Sequence, residues 1–147
     1  MLDIRLIRES PETVRENLSR RHDHDKGALL DQLIQDDAKW RELTGVVNDL
    51  RRRRNEISSE IGKVMREGED ASSLREEASK IPKRIVDAET ERDQYGVKVR
   101  AALMQLPNML HESVPYGLDD GDNVELRKNG VRPVFDFEAK SHADIAA

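Results

Sequence analysis

The 147-residue sequence contains no cysteine, and only 3% of its residues are aromatic. The lack of cysteine excludes disulfide bonds and thiolate metal sites. No apolar run approaches the ~20 residues that are needed to cross a bilayer. Charges at Asp3, Arg5 and Arg8 also interrupt any apolar core of an export signal. We therefore expect a soluble, cytoplasmic protein.

The sequence also lacks the usual catalytic motifs. It has no glycine-rich phosphate loop, no Ser-His-Asp set and no evident pair of catalytic carboxylates. Residues 22–25 (His-Asp-His-Asp) alternate metal-ligating types, but alternating loop residues define no ligand geometry, so we interpret them as a solvated loop. Residues 119–123 lack the distant glutamate of a calcium loop and are predicted to be a turn. We expect neither a metal site nor a catalytic residue in this chain.

Charge is what the sequence has in abundance, because 37% of its residues are charged and only 36% are hydrophobic. Such a composition cannot fill a wide core, whereas a two-helix coiled coil needs only about two apolar residues in seven. Two stretches keep that spacing, which a disordered chain would not. The first consists of Leu33, Trp40, Leu43, Val47, Leu50, Ile57, Ile61 and Val64, interrupted by Asp36 and Arg54. The second consists of Leu74, Ala78, Ile81, Ile85, Ala88, Tyr95, Val99, Ala102 and Leu106, interrupted by Arg92.

The two stripes mirror each other about a short polar segment near residue 69. If the chain folds back there, Leu33 lies opposite Leu106 and Val64 lies opposite Leu74. We therefore predict an all-α fold in which residues 29–106 form a long antiparallel coiled-coil hairpin with its turn near 67–71. Pro82 is expected to kink the second helix or to mark where its regular part begins.

Two smaller regions flank the hairpin. In the N-terminal cap, residues 1–28, Ser10-Pro11 predicts a helix that runs to about Arg20, and Asp23, Asp25 and Gly27 predict a loop after it. In residues 107–147, apolar residues alternate loosely around Asn129-Gly130, which predicts two short strands in an otherwise irregular tail. A lone two-stranded hairpin is marginal in water, so we expect these strands to belong to a sheet beyond this chain.

Basic residues gather in the far half of the hairpin. Residues 51–84 carry ten Lys or Arg and seven Asp or Glu, a net charge of +3, whereas all other residues together have a net charge of −8. Such a cluster can neutralise phosphates. The alternative is that charged side chains pair across the two helices and solvate them. The run Arg51–Arg54 spans more than one helical turn, so acids four residues away cannot pair with all of it.

Several segments resemble seryl-tRNA synthetases. They are the opening Met1–Asn17, the segment Leu50–Ile61 with its Arg-Asn-Glu-Ile-Ser core, and Leu106–Gly117 followed by 122–125 and 135–142. The resemblance covers nearly the whole chain. The end motifs are specific in order and spacing, while the coiled coil between them is generic.

The resemblance implies that the hairpin binds RNA. In that family the N-terminal arm grips the long variable arm and the elbow of serine tRNA, a recognition of RNA shape and backbone. Arg54 and Arg92 are expected to serve the seam between the helices. The expected tRNA-binding residues are Arg51, Arg52, Arg53, Lys63, Arg66, Arg75, Lys83 and Arg84.

The resemblance also implies a class II catalytic domain, which would follow this chain and attach serine with ATP and Mg²⁺. This chain alone is then expected to hold neither cofactor and to be inactive. Because dimerisation in the family belongs to the catalytic domain, we expect a homodimeric parent and a monomeric fragment. The alternative is a stand-alone coiled-coil adaptor that docks a protein partner.

Overall fold

Two long helices dominate the computed structural model, which describes residues 2–21, 24–131 and 133–146. Residues buried near the start of the first long helix pack with those near the end of the second, so the two form an antiparallel hairpin, the arm. The predicted all-α hairpin is confirmed. The helices are α1 (Ile4–Glu9), α2 (Pro11–Ser19), α3 (His24–Glu67), α4 (Ser72–Gln105) and α5 (His142–Ala146), with a 3₁₀ turn at Asp120–Asp122.

The arm begins earlier than the sequence predicts. α3 contains 44 residues, about 66 Å at ~1.5 Å per residue. Asp25 and Gly27, which were expected in a loop, belong to its first turns. That prediction is wrong because Leu30 is fully buried against the cap, and this burial stabilises the added first turns of α3. Asp25 also interacts favourably with the positive end of the helix dipole. His22 and Asp23 of the candidate ligand tract lie outside the described residues.

The turn between α3 and α4 lies where the stripes predict it. Gly68 has a φ of 75°, a left-handed conformation that glycine adopts without a steric penalty. The N–H of Gly68 donates to the carbonyl of Met65 (3.3 Å), and that of Glu69 donates to Val64 (3.0 Å). These two bonds satisfy the last carbonyls of α3 in the Schellman arrangement, so the helix ends there.

The seam between α3 and α4 contains two buried clusters. The far one consists of Leu50, Ile57, Ile81 and Ile85. The near one, at the base of the arm, is larger because the cap adds Ile7, Val14 and Leu18 to residues of both long helices. The base of the arm is therefore stabilised by the cap as well as by the two long helices, whereas among the described residues the far cluster is formed by α3 and α4 alone.

The cap contains two helices rather than one. α2 (Pro11–Ser19) confirms the start predicted at Ser10-Pro11. The additional helix, α1, has only six residues, too few to show a period in the sequence. Its first turn is capped by the Asp3 carboxylate, which accepts a hydrogen bond from the N–H of Arg5 at 2.9 Å. α4 runs as one helix through Pro82, so that residue does not mark its start.

A buried carboxylate joins the cap to the arm. Asp37, on α3, is 2% exposed. It accepts hydrogen bonds from Arg8 of α1 at 2.6 and 2.8 Å and from Arg41 at 3.0 Å. Burial acts to raise the pKa of Asp37, but the hydrogen bonds and charges of Arg8 and Arg41 outweigh it and leave that pKa below its ordinary value. The ion pair therefore fixes α1 against the arm.

A second polar contact holds the segment that follows α4. The Asn17 side chain of α2 donates to the Leu110 carbonyl (3.0 Å) and accepts from the Leu110 N–H (2.8 Å). Arg20 donates to the carbonyl of Val114 at 2.6 Å and lies over the ring of Tyr116. The cap thus contacts both α3 near the base of the arm and the segment that follows α4.

The strands predicted around Asn129-Gly130 are absent from the described residues 107–131 and 133–146. Gly130 has a φ of 82°, which suits the turn, but Leu126 and Val134 are almost fully exposed. Two short strands with no apolar surface to cover them are not stable in water, which explains why the local signal does not produce a ladder.

Candidate nucleic-acid interface

The arm has two distinct sides, which the contacts between its helices define. In a coiled coil, residues seven positions apart lie along one line. The Arg51 side carries Arg51, Ser58 and Met65 on α3, facing Arg75, Pro82 and Glu89 on α4. The Arg53 side carries Arg53 and Glu60 on α3, facing Glu77 and Arg84 on α4. Contacts between the helices support this assignment for Arg51 and Met65 on the first side and for Arg53 on the second.

Two contacts cross the Arg51 side. Arg51 pairs with Glu89 at 2.5 Å. Fourteen residues further along α3, the Sδ of Met65 lies 3.3 Å from a guanidinium nitrogen of Arg75. Between these contacts, the exposed residues that face this side from α4 are Ser79, Pro82 and Val86, none of which is acidic.

The Arg53 side is occupied by ion pairs. Arg53 donates two hydrogen bonds to the Glu77 carboxylate, at 2.9 and 3.0 Å, and lies 3.3 Å from Glu60. The hydrogen bonds from Arg53, assisted by its charge and that of Arg84, hold the pKa of Glu77 below its usual range. The two-pronged bond occupies much of the Arg53 guanidinium, which leaves it less available to an RNA phosphate than a free cation would be.

The remaining two residues of the arginine run differ from these. Arg52 faces away from α4 and has only loose, exposed pairs with Asp49 (3.3 Å) and Glu56 (3.6 Å). Arg54 was expected to serve the seam, yet its side chain is exposed and reaches only Asn55, at 3.4 Å. That expectation is wrong because a long side chain can leave a seam position and place its charge in water. Arg92, by contrast, is half-buried beside Asp93.

The other five candidate residues are less engaged. Within the described part of the chain, no carboxylate lies within 4.0 Å of any of their charged groups, and all five are exposed. Arg66 donates to the carbonyl of Gly62 (2.9 Å), which orients its side chain along α3. The five residues are Lys63, Arg66, Arg75, Lys83 and Arg84.

The eight predicted residues therefore lie in the far half of the arm, but on different sides. Arg51, Arg52, Arg66 and Arg75 share the Arg51 side and the outer surface of α3 next to it. The small polar residues between them are exposed on the same surface but were not among the predicted binding residues: Asn55, Ser58 and Ser59. The signal that could have found them is the lack of acids at their positions in the seven-residue repeat.

Other kinds of site were sought in the same residues. Across residues 2–21, 24–131 and 133–146, no three His, Asp or Glu side chains are grouped so that they could hold a metal ion. None of the described helices is long and apolar enough to span a membrane. The exposed cations of the arm remain the strongest candidate for a binding surface.

Comparison with known proteins identifies the fold. The family model of the seryl-tRNA synthetase N-terminal domain matches residues 1–110. The chain is 48% identical over its full length to the serine–tRNA ligase of Methanospirillum hungatei, of which it covers 35%. It is 40% identical over 92% of its length to the Thermococcus sibiricus enzyme and covers 30% of that protein.

A solved structure agrees with these relatives. The crystal structure of seryl-tRNA synthetase from Pyrococcus horikoshii, complexed with ATP, matches 86% of this chain with a TM-score of 0.81 and 41% sequence identity. The chain covers 28% of that structure, and thus spans only about a third of the proteins it matches. The family model covers about three quarters of the chain, and the fold agrees with that of the solved structure. The chain therefore belongs to the seryl-tRNA synthetase N-terminal domain family.

Proposed function

We propose that this chain is the tRNA-binding arm of a serine–tRNA ligase and that its far half contacts the long variable arm and the elbow of serine tRNA. The observation that carries the proposal is the position of the basic side chains that pair with no carboxylate among the described residues. Lys63, Arg66 and Arg75 are exposed near the turn, at the end of the arm furthest from the cap. An arm with cations at its end suits recognition of RNA backbone and shape.

The architecture supports this role. α3 is about 66 Å long, and the cap packs only at its base, so the cations near the turn stand well away from the N-terminal helices. The buried seam keeps the two helices in register, and the Asp37 ion pair fixes the cap to the base. A rigid, projecting arm can reach a distant feature of a large RNA, which a compact domain of this length could not.

The proposal extends to the longer protein. A class II catalytic domain that follows this chain would attach serine to the tRNA using ATP and Mg²⁺, in a cytoplasmic homodimer joined through that domain. The chain itself would bind neither ATP nor Mg²⁺ and would not activate serine. The ATP in the Pyrococcus horikoshii structure supports a nucleotide-dependent parent enzyme.

A competition assay with two RNAs tests the proposal. The 147-residue chain is titrated with labelled serine tRNA, which is then displaced by unlabelled serine tRNA or by the same tRNA with its long variable arm shortened. We expect the shortened RNA to compete at least about tenfold less well, and the affinity for the intact RNA to fall steeply with salt.

The control is a tRNA that naturally has a short variable arm. Equal competition by all three RNAs would contradict recognition of the variable arm. No binding to any of them would favour the alternative function, a coiled-coil adaptor for a protein partner.

A further inference from the structure

We propose that the arm meets RNA with one defined surface, an acid-free face on α3. This inference rests on the proposed function, which leaves open the side of the arm that contacts tRNA. The surface consists of residues that are all exposed and that share one side of the helix between the two ends of the far half. They are Arg52, Asn55, Ser58, Ser59, Gly62 and Arg66.

The distribution of acids distinguishes this surface from the rest of the arm. Between Leu50 and Glu67, α3 has only two acidic residues, Glu56 and Glu60. Glu60 lies toward the Arg53 side, 3.3 Å from Arg53, whereas Glu56 lies at the border of the two surfaces, 3.6 Å from Arg52 and 3.8 Å from Arg53. A phosphate that approached the Arg53 side would meet these acids together with Glu77 of α4. On the acid-free face it would meet cations and neutral polar groups.

The size of the side chains favours close approach. Ser58, Ser59 and Gly62 are small, and a Cβ atom added at Gly62 would meet nothing within 4 Å. Arg52 and Arg66 stand fourteen residues apart, about 21 Å along the helix, and border this shallow strip. An RNA backbone can lie on the strip with phosphates at the two arginines and with ribose hydroxyls near serine and asparagine.

The neighbouring surface of α4 continues the acid-free face rather than interrupting it. Ser79, Pro82 and Val86 are exposed there without a charge, and Arg75 adds a cation near the turn. A protein helix would need an apolar stripe at this place. Val86 and Pro82 are exposed apolar residues of this face, but the arginines and small polar groups around them do not form such a stripe, so charge complementarity favours a nucleic-acid backbone as the occupant.

Two double variants with the same loss of charge test the inference. Arg52→Gln with Arg66→Gln alters the acid-free face, and Lys80→Gln with Lys98→Gln removes the same charge from exposed positions on the Arg53 side of α4. For the first pair we expect at least a tenfold loss of affinity for serine tRNA. The slope of log affinity against log salt concentration should also become less steep by about two, one for each lost phosphate contact. The second pair should stay within about threefold of the parent chain.

The outcomes separate this inference from the proposed function. Equal losses in both pairs, or a larger loss for Lys80→Gln with Lys98→Gln, would overturn the acid-free face while the arm remained a tRNA-binding element. No change in either pair would also overturn the acid-free face, whereas the competition between RNAs tests the arm's role separately. Circular dichroism confirms that all variants keep their helix content, as expected for exposed positions.

A single substitution gives an independent test because it removes no contact. Gly62→Glu places a carboxylate in the middle of the acid-free face, and Gly62→Ala is its matched control. Both variants have open space for the new side chain and a better helix propensity than glycine. We expect Gly62→Glu to bind serine tRNA several-fold more weakly than Gly62→Ala; equal affinity of the two variants would overturn the inference.

Discussion

Replacing Asp37 with asparagine is expected to lower the free energy of unfolding by about 3 kcal/mol. Asp37 is almost completely buried and accepts three hydrogen bonds from Arg8 and Arg41. Asparagine keeps the volume but loses the charge, and it turns an amide N–H₂ toward one of the guanidinium groups. Chemical denaturation at neutral pH measures the loss.

The adjacent aspartate provides a matched control. Asp36 is also buried, but among the described residues it accepts a hydrogen bond from the Gln32 side chain, at 3.1 Å, and pairs with no arginine or lysine. An amide can still accept that bond, so Asp36→Asn should cost less than about 1 kcal/mol. Equal costs at the two positions would show that the Arg8–Asp37 pair contributes nothing beyond burial.

The same ion pair predicts a dependence on pH. Because the pKa of Asp37 is lowered in the folded state, its stabilising effect is complete above the unfolded-state pKa of about 3.9 and is lost as pH falls through the folded-state value. The difference in stability between the parent chain and Asp37→Asn should therefore be constant near neutral pH and shrink below about pH 4.

Replacing Ile57 with alanine is expected to destabilise the far half of the arm by about 3 kcal/mol. Ile57 is fully buried in a cluster with only three other buried residues, Leu50, Ile81 and Ile85. Within the described part of the chain, no third element packs on that cluster, so the cavity left by Ile57→Ala is not filled from another direction. Amides of the far half should exchange with solvent on the order of a hundredfold faster.

The base of the arm should remain protected in the Ile57→Ala variant. Leu30 and Leu33 pack there with the cap and belong to a separate cluster. Val86→Ala removes apolar atoms from an exposed position of the same far half and should change stability by less than about 0.5 kcal/mol. Faster exchange along the whole chain would show that the arm unfolds as one unit.

The hairpin could be predicted from the sequence because its information is local and repeated. Seam residues such as Leu50 and Ile57 recur along each helix, and their mirror symmetry fixes both the partner and the turn. α1 could not be predicted in this way, since six residues are too short to show a period. The Arg8–Asp37 pair joins residues 29 positions apart, which no spacing rule reveals.

The candidate site was predictable as a region but not as a surface. The net charge of residues 51–84 identified the far half of the arm. Whether a given arginine is free, however, depends on the register of the facing helix. Arg53 meets Glu77 across the seam while Arg52, its neighbour in sequence, faces away. Likewise, the strands expected near Gly130 depend on a partner sheet that this chain does not supply.

Cross-linking from two defined positions tests most directly whether the arm binds tRNA and with which surface. The chain has no cysteine, so Ser58→Cys on the acid-free face and Glu60→Cys on the Arg53 side can each carry one photoreactive group. The two positions are only two residues apart and face opposite sides of the arm. We predict that Ser58→Cys cross-links serine tRNA several-fold more efficiently than Glu60→Cys. Equal or reversed yields, or no cross-link from either position, would contradict this account.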